Sequence, residues 1–307
     1  MEKSKVSPYI GLFIAILAVS AAAIFIRMAQ SGAPSIFIAL LRLGFAALII
    51  MPFALVFRRK ELKSMQRPQI ILVLISGILL ALHFVSWITS LEYTSVTSSV
   101  VLVTTSPLWV ALLSPVLLKE RLTKNQGIGL TLAMIGGIVV GLSNTCRISN
   151  GSIYCDSLGS LFEGETLFGN ILALAGAIFV SGYFIIGRML RKNLSLISYT
   201  FLVYGSAAIF LLIATLGMGI HLIGFPTEVY YWGFLLAIIP QVIGHSSLNW
   251  SLKYLPASYV SIAVLGEPIG SSILAFFILK ESPTILEIAG GFLILSGILF
   301  ASRSQKD

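Results

Sequence analysis

Residues 117–123 read LLKERLT, and residues 278–284 read ILKESPT. The same Lys-Glu pair thus occurs twice, each time directly after a long apolar run, in a chain that is only 10% charged. The two pairs lie 161 positions apart, and shifting the second half of the chain by this interval aligns further identical residues without gaps. The aligned pairs are Ser20 with Ser181, Arg27 with Arg188, Gly44 with Gly205, Ser90 with Ser251, Tyr93 with Tyr254, Pro107 with Pro268, Gly129 with Gly290 and Gly136 with Gly297. The chain therefore contains an internal repeat.

The composition indicates a membrane protein. Of the 307 residues 57% are hydrophobic, and the mean hydropathy is +0.98, whereas about a quarter of the residues of a soluble domain are charged. A helix needs roughly 20 apolar residues to cross a bilayer. Ten apolar runs come close to or exceed this length, and they cover residues 8–29, 34–57, 68–90, 95–118, 124–142, 167–189, 195–217, 228–251, 256–279 and 283–302. We therefore predict an all-α integral membrane protein with ten transmembrane helices.

Each copy of the repeat contains five of the predicted spans. Because five is an odd number, the second copy enters the bilayer upside down relative to the first. The sequence thus predicts two inverted-topology five-helix repeats. This arrangement is typical of secondary transporters, in which two halves open alternately to either side of a site at the midplane.

The basic residues predict the orientation. With a cytoplasmic N-terminus, sixteen of the twenty Lys and Arg residues fall in cytoplasmic segments. Arg27, Arg147 and Lys280 fall outside, and Arg42 lies within a span. The positive-inside rule therefore places both termini in the cytoplasm of a multi-pass protein of the plasma (inner) membrane. It also explains the net charge of +8 without a nucleic-acid partner, and we predict none.

Both cysteines of the chain lie in one long external loop. Cys146 and Cys155 are nine positions apart. In an oxidising compartment two such thiols pair readily, and we favour a disulfide. Two free surface thiols are the alternative.

The repeated Lys-Glu pairs lie at the ends of spans. The pair at 119–120 ends the fourth predicted span, and Thr123 with Gln126 predicts a capping box at the start of the fifth. The pair at 280–281 ends the ninth span and precedes Ser282, which is a favourable N-cap residue. We interpret both pairs as tight interfacial turns that mark the fold more than the chemistry.

Two long stretches resemble a known family. They are SPLWVALLSPVLLKERLTKNQGIGLTLAMIGGIVV at residues 106–140 and GEPIGSSILAFFILKESPTILEIAGGFLILSGILF at residues 266–300. Both are similar to the EamA repeats of the drug/metabolite transporter superfamily. The resemblance makes residues 1–142 a first EamA-like repeat, 143–166 an external loop, and 167–307 a second repeat with a short cytoplasmic tail. The two repeats together form one transport domain.

The resemblance also has functional implications. It implies a ten-helix permease whose central cavity is lined mainly by spans 1, 3, 4, 6, 8 and 9. Substrates of the superfamily include amino acids, other small metabolites and drugs, and many members are exporters. The motifs identify the fold and leave the substrate open.

Polar residues inside a bilayer are costly and are candidates for a site. His83, Ser86, Trp87 and Ser90 share one face of span 3, and Gln241, His245 and Asn249 share one face of span 8. Because the repeat makes these two helices equivalent, their polar faces indicate a shared cavity. We select His83, Trp87, His245 and Asn249 as substrate-binding candidates. Packing between helices through hydrogen bonds is the alternative, which we favour for the serines.

Span 9 carries an acidic residue before a proline, at Glu267 and Pro268. Pro268 and its counterpart Pro107 lack an amide donor and should free the carbonyls of Val264 and Val103. Broken helices at the midplane expose backbone groups to substrate. Glu267 has three interpretations: it binds a substrate amine, it carries the coupling proton, or it pins the helix break.

Arg42 in span 2 has no acidic neighbour in sequence. It could pair with Glu267 or Glu287, attract a substrate carboxylate, or extend its long stem to the interface. The aromatic residues Tyr183 and Trp109 are weaker candidates for the wall of a cavity, because aromatic residues in spans commonly face lipid or the core.

The sequence lacks the motifs of ATP hydrolysis, of metal sites and of nucleophilic catalysis. We therefore predict no enzyme, no catalytic residue, no metal and no cofactor, and a secondary-active permease that exports amino acids or similar small metabolites. The predicted partners are the small-molecule substrate and the lipid bilayer, with protons as a candidate coupling ion and a homodimer as a candidate assembly.

Two other functions are less favoured. A sugar-phosphate or nucleotide-sugar antiporter of the same superfamily would need several cations at its site, and the midplane offers Arg42 and Glu267. An intramembrane lipid-handling enzyme or scaffold would need a convergent catalytic set, which the sequence does not show, and it has no use for inverted symmetry.

Overall fold

The computed structural model describes residues 7–94, 96–142, 146–149, 152–155, 164–279 and 284–303. These residues form fifteen α-helices, one π-helical segment and two short strands. The helices are α1 (Pro8–Ser20), α2 (Ala22–Gln30), α3 (Ser35–Phe57), α4 (Arg59–Lys63), α5 (Arg67–Tyr93), α6 (Val96–Val103), α7 (Ser106–Leu117), α8 (Lys124–Leu142), α9 (Gly164–Leu190), α10 (Leu196–Gly217), α11 (Thr227–Leu236), α12 (Ser246–Ser251), α13 (Ala257–Val264), α14 (Glu267–Leu279) and α15 (Ile285–Arg303). The π-helical segment Ala237–His245 joins α11 to α12, and the strands are β1 (Cys146–Ser149) and β2 (Ser152–Cys155).

Each predicted apolar run coincides with one long helix or with consecutive helical pieces. Seven stretches are long and apolar enough to cross a membrane: Pro8–Gln30, Ser35–Phe57, Arg67–Tyr93, Ser98–Leu117, Gly164–Leu190, Leu196–Gly217 and Ala257–Leu274. The chain is therefore a multi-pass membrane protein. The other three runs correspond to α8, to α11 with the π-helical segment and α12, and to α15. Ten crossings stay a prediction.

Two helix breaks are related by the repeat. The chain leaves the helix at residues 104–105, between α6 and α7, and at residues 265–266, between α13 and α14. Pro107 and Pro268 follow as the second residue of the new helix, where a missing amide donor costs nothing. The predicted breaks at both prolines are therefore present, and they lie 161 residues apart.

The sequence patterns do not predict the π-helical segment in the eighth span. Pro240 lies inside it, and a proline removes an intrahelical hydrogen bond and disfavours the regular α-helical ladder. Its repeat counterpart is Leu79, in the uninterrupted helix α5. The two repeats therefore differ here because one carries a proline and the other does not.

Helices α8 and α15 cross at glycines from both copies of the repeat. An added Cβ at Gly136 would lie 2.6 Å from the carbonyl oxygen of Gly290, and one at Gly129 would lie 2.4 Å from that of Gly297. Gly290 is the repeat counterpart of Gly129, and Gly297 is that of Gly136, so each contact joins one glycine from each pair. The two helices therefore touch backbone to backbone. A stripe of glycines permits this close approach.

One end of the bundle is held by an ion pair. Arg188 Nε at the end of α9 donates to Glu120 Oε1 at 2.8 Å, and Arg188 Nη1 donates to the carbonyl oxygens of Leu252 at 2.7 Å and Lys253 at 3.1 Å. Lys119 has a φ of +57°, consistent with the predicted tight turn. The Lys-Glu pair at 119–120 is nonetheless more than a turn, because Glu120 joins α9 to the segment after α7.

The turns after these pairs are described in one copy only. The predicted capping box after α7 is present: the Thr123 amide donates to Gln126 Oε1 at 3.1 Å, and the Gln126 amide donates to Thr123 Oγ1 at 3.2 Å. The pair at 280–281 and Ser282 lie outside the described residues.

The segment between α8 and α9 contains a β-ribbon that an all-α prediction omits. Strands β1 and β2 are antiparallel, with Cys146 directly opposite Cys155. Cys155 is disulfide-bonded. The sequence between the strands is Asn150-Gly151, a dipeptide favoured in two-residue hairpin loops.

Candidate functional site

A cavity lined by both polar and apolar side chains lies inside the helix bundle. Fourteen residues line it. They come from α1, α2, α3, α5, α6, α7, α9, the π-helical segment, α12, α13 and α14, or from the junctions between these elements. They are Val19, Ala22, Arg42, His83, Trp87, Val103, Thr104, Ser106, Val180, Phe184, His245, Leu248, Val264 and Glu267. The six spans that the family resemblance implied all contribute, and span 2 adds Arg42. Both helix breaks therefore border the cavity.

Arg42 is held in one orientation by two neighbours. Its side chain is 0% exposed, its Nε donates to Gln241 Oε1 at 2.8 Å, and its guanidinium carbon lies 3.9 Å from the centre of the Phe84 ring. Nη1 and Nη2 are buried without a hydrogen-bond partner among the described residues. Arg42 therefore does not extend to the interface, and its planar fork remains available for a ligand.

Glu267 is the first residue of α14 and faces the same cavity. Its side chain is 7% exposed, and no ion pair within 4.0 Å joins it to Arg42. A direct pair between Arg42 and Glu267, one of our alternatives, is thus not present in this structure. Glu287, the other candidate partner of Arg42, has a side chain outside the described residues.

Two histidines line the cavity on opposite repeats. The ring centres of His83 and His245 are 6.4 Å apart. His83 Nδ1 contacts the carbonyl oxygen of Gly176 at 2.9 Å, and because a carbonyl only accepts, Nδ1 carries the proton. Trp87 stacks on His83 with ring centres 6.0 Å apart, and its Nε1 is buried without a partner among the described residues.

A pair of repeat-related hydrogen bonds holds the two breaks. Ser181 Oγ on α9 lies 3.0 Å from the carbonyl oxygen of Ser106 and 2.6 Å from that of Ala177. Ser20 Oγ at the end of α1 lies 3.3 Å from that of Glu267 and 2.6 Å from that of Ile16. Each hydroxyl thus shares its one proton between its own helix and the break. Ser106 and Glu267 are the first residues of α7 and α14. Each copy of the repeat therefore fixes the helix break of the other.

Some predicted site residues lie behind the cavity wall or away from it. Tyr183 and Asn249 are 0% exposed and hydrogen-bond each other, and Asn249 also donates to the carbonyl oxygen of His245 at 2.8 Å. Neither lines the cavity, and neither does Trp109, which is half-buried. Pro107 and Pro268 shape the breaks without lining the cavity. The structure thus brings Arg42, His83, Trp87, His245 and Glu267 together.

Sequence reasoning missed Phe84, which supports Arg42, and Ser106, which lines the cavity. The repeat carried a signal for both. Phe84 is the counterpart of His245, and Ser106 is the counterpart of Glu267, each 161 positions away. In the part of the chain that the structure describes, no group of three or more His, Cys, Asp or Glu residues could hold a metal ion.

Comparisons with known proteins agree with the repeat and with the fold. A model of the EamA-like transporter family matches residues 6–142 and 167–303. The uncharacterized transporter YyaM of Bacillus subtilis is 26% identical over 267 residues, which cover 85% of this chain and 82% of that protein. The pseudopaline exporter CntI of Pseudomonas aeruginosa is 23% identical over 248 residues, which cover 79% of this chain and 78% of that protein.

A solved crystal structure has the same fold. It superposes with a TM-score of 0.77 at 18% sequence identity, covering 98% of each chain. The two family matches begin 161 residues apart, which is the interval of the repeat and confirms the resemblance found in the sequence. This chain belongs to the EamA-like transporter family.

Proposed function

We propose that this chain is a secondary-active permease that exports amino acids or similar small metabolites by alternating access. The observation that carries the proposal is the cavity with ionisable side chains between two repeat-related helix breaks. Interrupted helices near the midplane present free backbone groups to a substrate, and inverted halves open alternately around such a site. The exporter CntI among the relatives supports export.

The proposal includes the membrane topology. Ten spans arranged as two inverted five-helix repeats place both termini in the cytoplasm of the plasma membrane. The distribution of Lys and Arg along the sequence supports this orientation. The cavity then lies within the bilayer, where burying polar side chains costs free energy. Polar side chains that do not stabilise the fold are therefore candidates for binding a solute.

Glu267 is the coupling or amine-binding residue in this proposal. Its carboxyl group faces the cavity without a hydrogen-bond partner in the described part of the chain. A buried carboxyl group of this kind either takes up a proton or binds a cation. The helix break is held through the Glu267 backbone carbonyl, so its side chain is free for either task.

The sugar-phosphate alternative has less support. Among the described residues that line the cavity, Arg42 is the single Lys or Arg, and a phosphate group is commonly bound by more than one cation. The named relatives are transporters, which favours transport over a lipid-handling enzyme.

The test is counterflow in proteoliposomes with a panel of labelled amino acids, with and without a pH gradient. The variants are Glu267→Gln and, as a matched control, Glu165→Gln, which changes an exposed acidic residue at the start of α9. We expect wild type and the control to respond to the pH gradient, and Glu267→Gln to exchange substrate without that response.

Two results would correct the proposal. Normal coupling by Glu267→Gln would assign Glu267 to the helix break and move the search for the proton site to His83 and His245. Failure of wild-type liposomes to move any compound of the panel would overturn the proposed substrate class.

A further inference from the structure

We infer that Arg42 is the binding group for a carboxylate and that the cavity selects solutes which carry one. The inference rests on the proposed function for the view that this solute is transported. It concerns the part of the cavity wall where Arg42 presents its guanidinium. Carboxylate binding can be measured separately from transport.

The guanidinium of Arg42 is preorganised. Gln241 accepts from Nε at 2.8 Å, and the ring of Phe84 lies under the guanidinium at 3.9 Å. These two contacts fix the plane of the group and use only one of its nitrogens. Nη1 and Nη2 together form the fork that matches the two oxygens of a carboxylate.

Unused donors are present on Arg42 and Trp87, which line the cavity, and on Gln241, which accepts a hydrogen bond from Arg42. Arg42 Nη1 and Nη2, Gln241 Nε2 and Trp87 Nε1 are buried and have no hydrogen-bond partner among the residues that the structure describes. Most buried polar groups in proteins are hydrogen-bonded, and exceptions call for an explanation. The three donor atoms on cavity-lining residues, two on Arg42 and one on Trp87, indicate a ligand that supplies acceptor oxygens.

The protein does not supply the missing acceptor from its own acidic residue. Glu267 lines the same cavity, but it forms no ion pair with Arg42 within 4.0 Å. The guanidinium and the carboxyl group therefore face the cavity separately. A solute with a carboxylate for Arg42 and an ammonium group for Glu267 would complement both, whereas an amine alone would leave the donors of Arg42 unused.

The experiment measures ligand stabilisation of the purified full-length chain as a shift in Tm across a concentration series. The probes are L-leucine, L-phenylalanine and L-lysine, each paired with its carboxamide, together with acetate as a minimal carboxylate and inorganic phosphate. The carboxamide keeps the size and the ammonium group of the amino acid and removes the negative charge. The proteins are wild type, Arg42→Gln, Arg42→Lys, and the control Arg27→Gln, which changes an exposed arginine outside the cavity.

We expect at least one amino acid to raise the Tm of wild type and of Arg27→Gln, and its carboxamide to bind roughly tenfold to a hundredfold more weakly, as the loss of a charged hydrogen-bond pair implies. Arg42→Gln should lose the same factor. Arg42→Lys should lose part of it, because lysine keeps the charge without the fork. This graded loss separates recognition from a general defect in folding.

Four results would overturn the inference: carboxamides that stabilise as well as their acids, an undiminished response of Arg42→Gln, phosphate that binds as tightly as the carboxylates, or no shift with any probe. Stabilisation by carboxylates through Arg42 in a protein that moves none of them across liposomes would retain the binding site and reject the proposed transport function.

Discussion

The two copies of the repeat share their helix breaks and several contacts between helices, and they differ in the side chains at the cavity. Both copies break a helix before a proline, at residues 104–105 and 265–266. In both, a serine of one copy bonds the first residue of the broken helix in the other. Gln30 Nε2 donates to the carbonyl oxygen of Ile88 at 2.7 Å, and 161 residues later Arg191 Nε donates to that of Asn249 at 3.0 Å. The shared features are contacts that connect helices.

The residues with ionisable or aromatic groups at the cavity are not shared. Arg42 corresponds to Val203, His83 to Gly244, and Glu267 to Ser106. Symmetry of the backbone allows the two halves to exchange conformations, which both copies must support. A solute, in contrast, needs only one binding group of each kind. If the chain works by the proposed alternating access, the repeat supplies the parts that move, and departures from the repeat supply the groups that bind the ligand.

The largest effect that would sharpen this comparison is expected at the glycine crossing of α8 and α15. In Gly136→Ala the new Cβ would meet the Gly290 carbonyl oxygen at 2.6 Å, and in Gly297→Ala it would meet that of Gly129 at 2.5 Å. Since backbone cannot move aside easily, we expect each change to lower the free energy of unfolding by about 3 kcal/mol, measured by detergent-induced unfolding.

Gly137→Ala is the control for this prediction. A Cβ at Gly137 meets nothing within 4 Å, and alanine is the better helix former, so its stability should stay equal or rise. Equal losses at Gly136 and Gly297 would support equivalent roles in the two copies. A loss at only one of them would show that the two copies are not equivalent at this crossing.

A smaller effect is expected where the copies differ at the ends of the bundle. Arg188 pairs with Glu120 and bonds two carbonyl oxygens, whereas its counterpart Arg27 is exposed and forms no ion pair or hydrogen bond with the described part of the chain. Arg188→Gln should therefore lower the free energy of unfolding by about 2 kcal/mol, and Arg27→Gln should change it by less than about 0.5 kcal/mol.

Chemical unfolding of the two variants beside wild type measures both values. A loss for Arg27→Gln as large as that for Arg188→Gln would show that the two arginines are equivalent in solution. That result would contradict the different contacts of Arg188 and Arg27 that the structure shows.

The sequence predicts the backbone well because long apolar runs and prolines act locally. The ten runs, the capping box of Thr123 and Gln126, and both proline breaks are all read from neighbours in sequence. The π-helical segment is harder to predict, because Pro240 does not by itself determine whether a helix kinks, ends or widens.

The site was predicted only in part. Helical spacing gave His83, Trp87 and His245, which line the cavity, but it also selected Asn249, which does not line it and hydrogen-bonds Tyr183. Which polar residues face the cavity depends on contacts between distant helices, and one sequence does not contain them. The pairing of Arg42 with Gln241, 199 residues apart, is a contact of this kind.

The smallest expected effect concerns a carboxylate that only one copy has. Glu61 Oε1 accepts from the Ser195 amide at 2.6 Å, and Oε2 accepts from Ser198 Oγ at 2.8 Å. These groups begin α10, whose N-cap is Ser195. In the other copy the counterpart of Ser195 is Pro34 and that of Glu61 is Leu222. Glu61 therefore adds a contact that the repeat does not require.

The pH dependence follows from the sign of the pKa shift. Partial burial raises the pKa of Glu61, but the hydrogen bonds from Ser195 and Ser198 together outweigh it and hold the pKa below its ordinary value. The contribution of Glu61 is thus present above the pKa of an unfolded glutamate and is lost as the pH falls through the lower folded value. Because the side chain is only partly buried, we expect Glu61→Gln to cost less than about 1 kcal/mol at neutral pH. The difference from wild type should vanish in acid, as measured by unfolding across a pH series, and a difference that grows in acid would contradict the assigned sign.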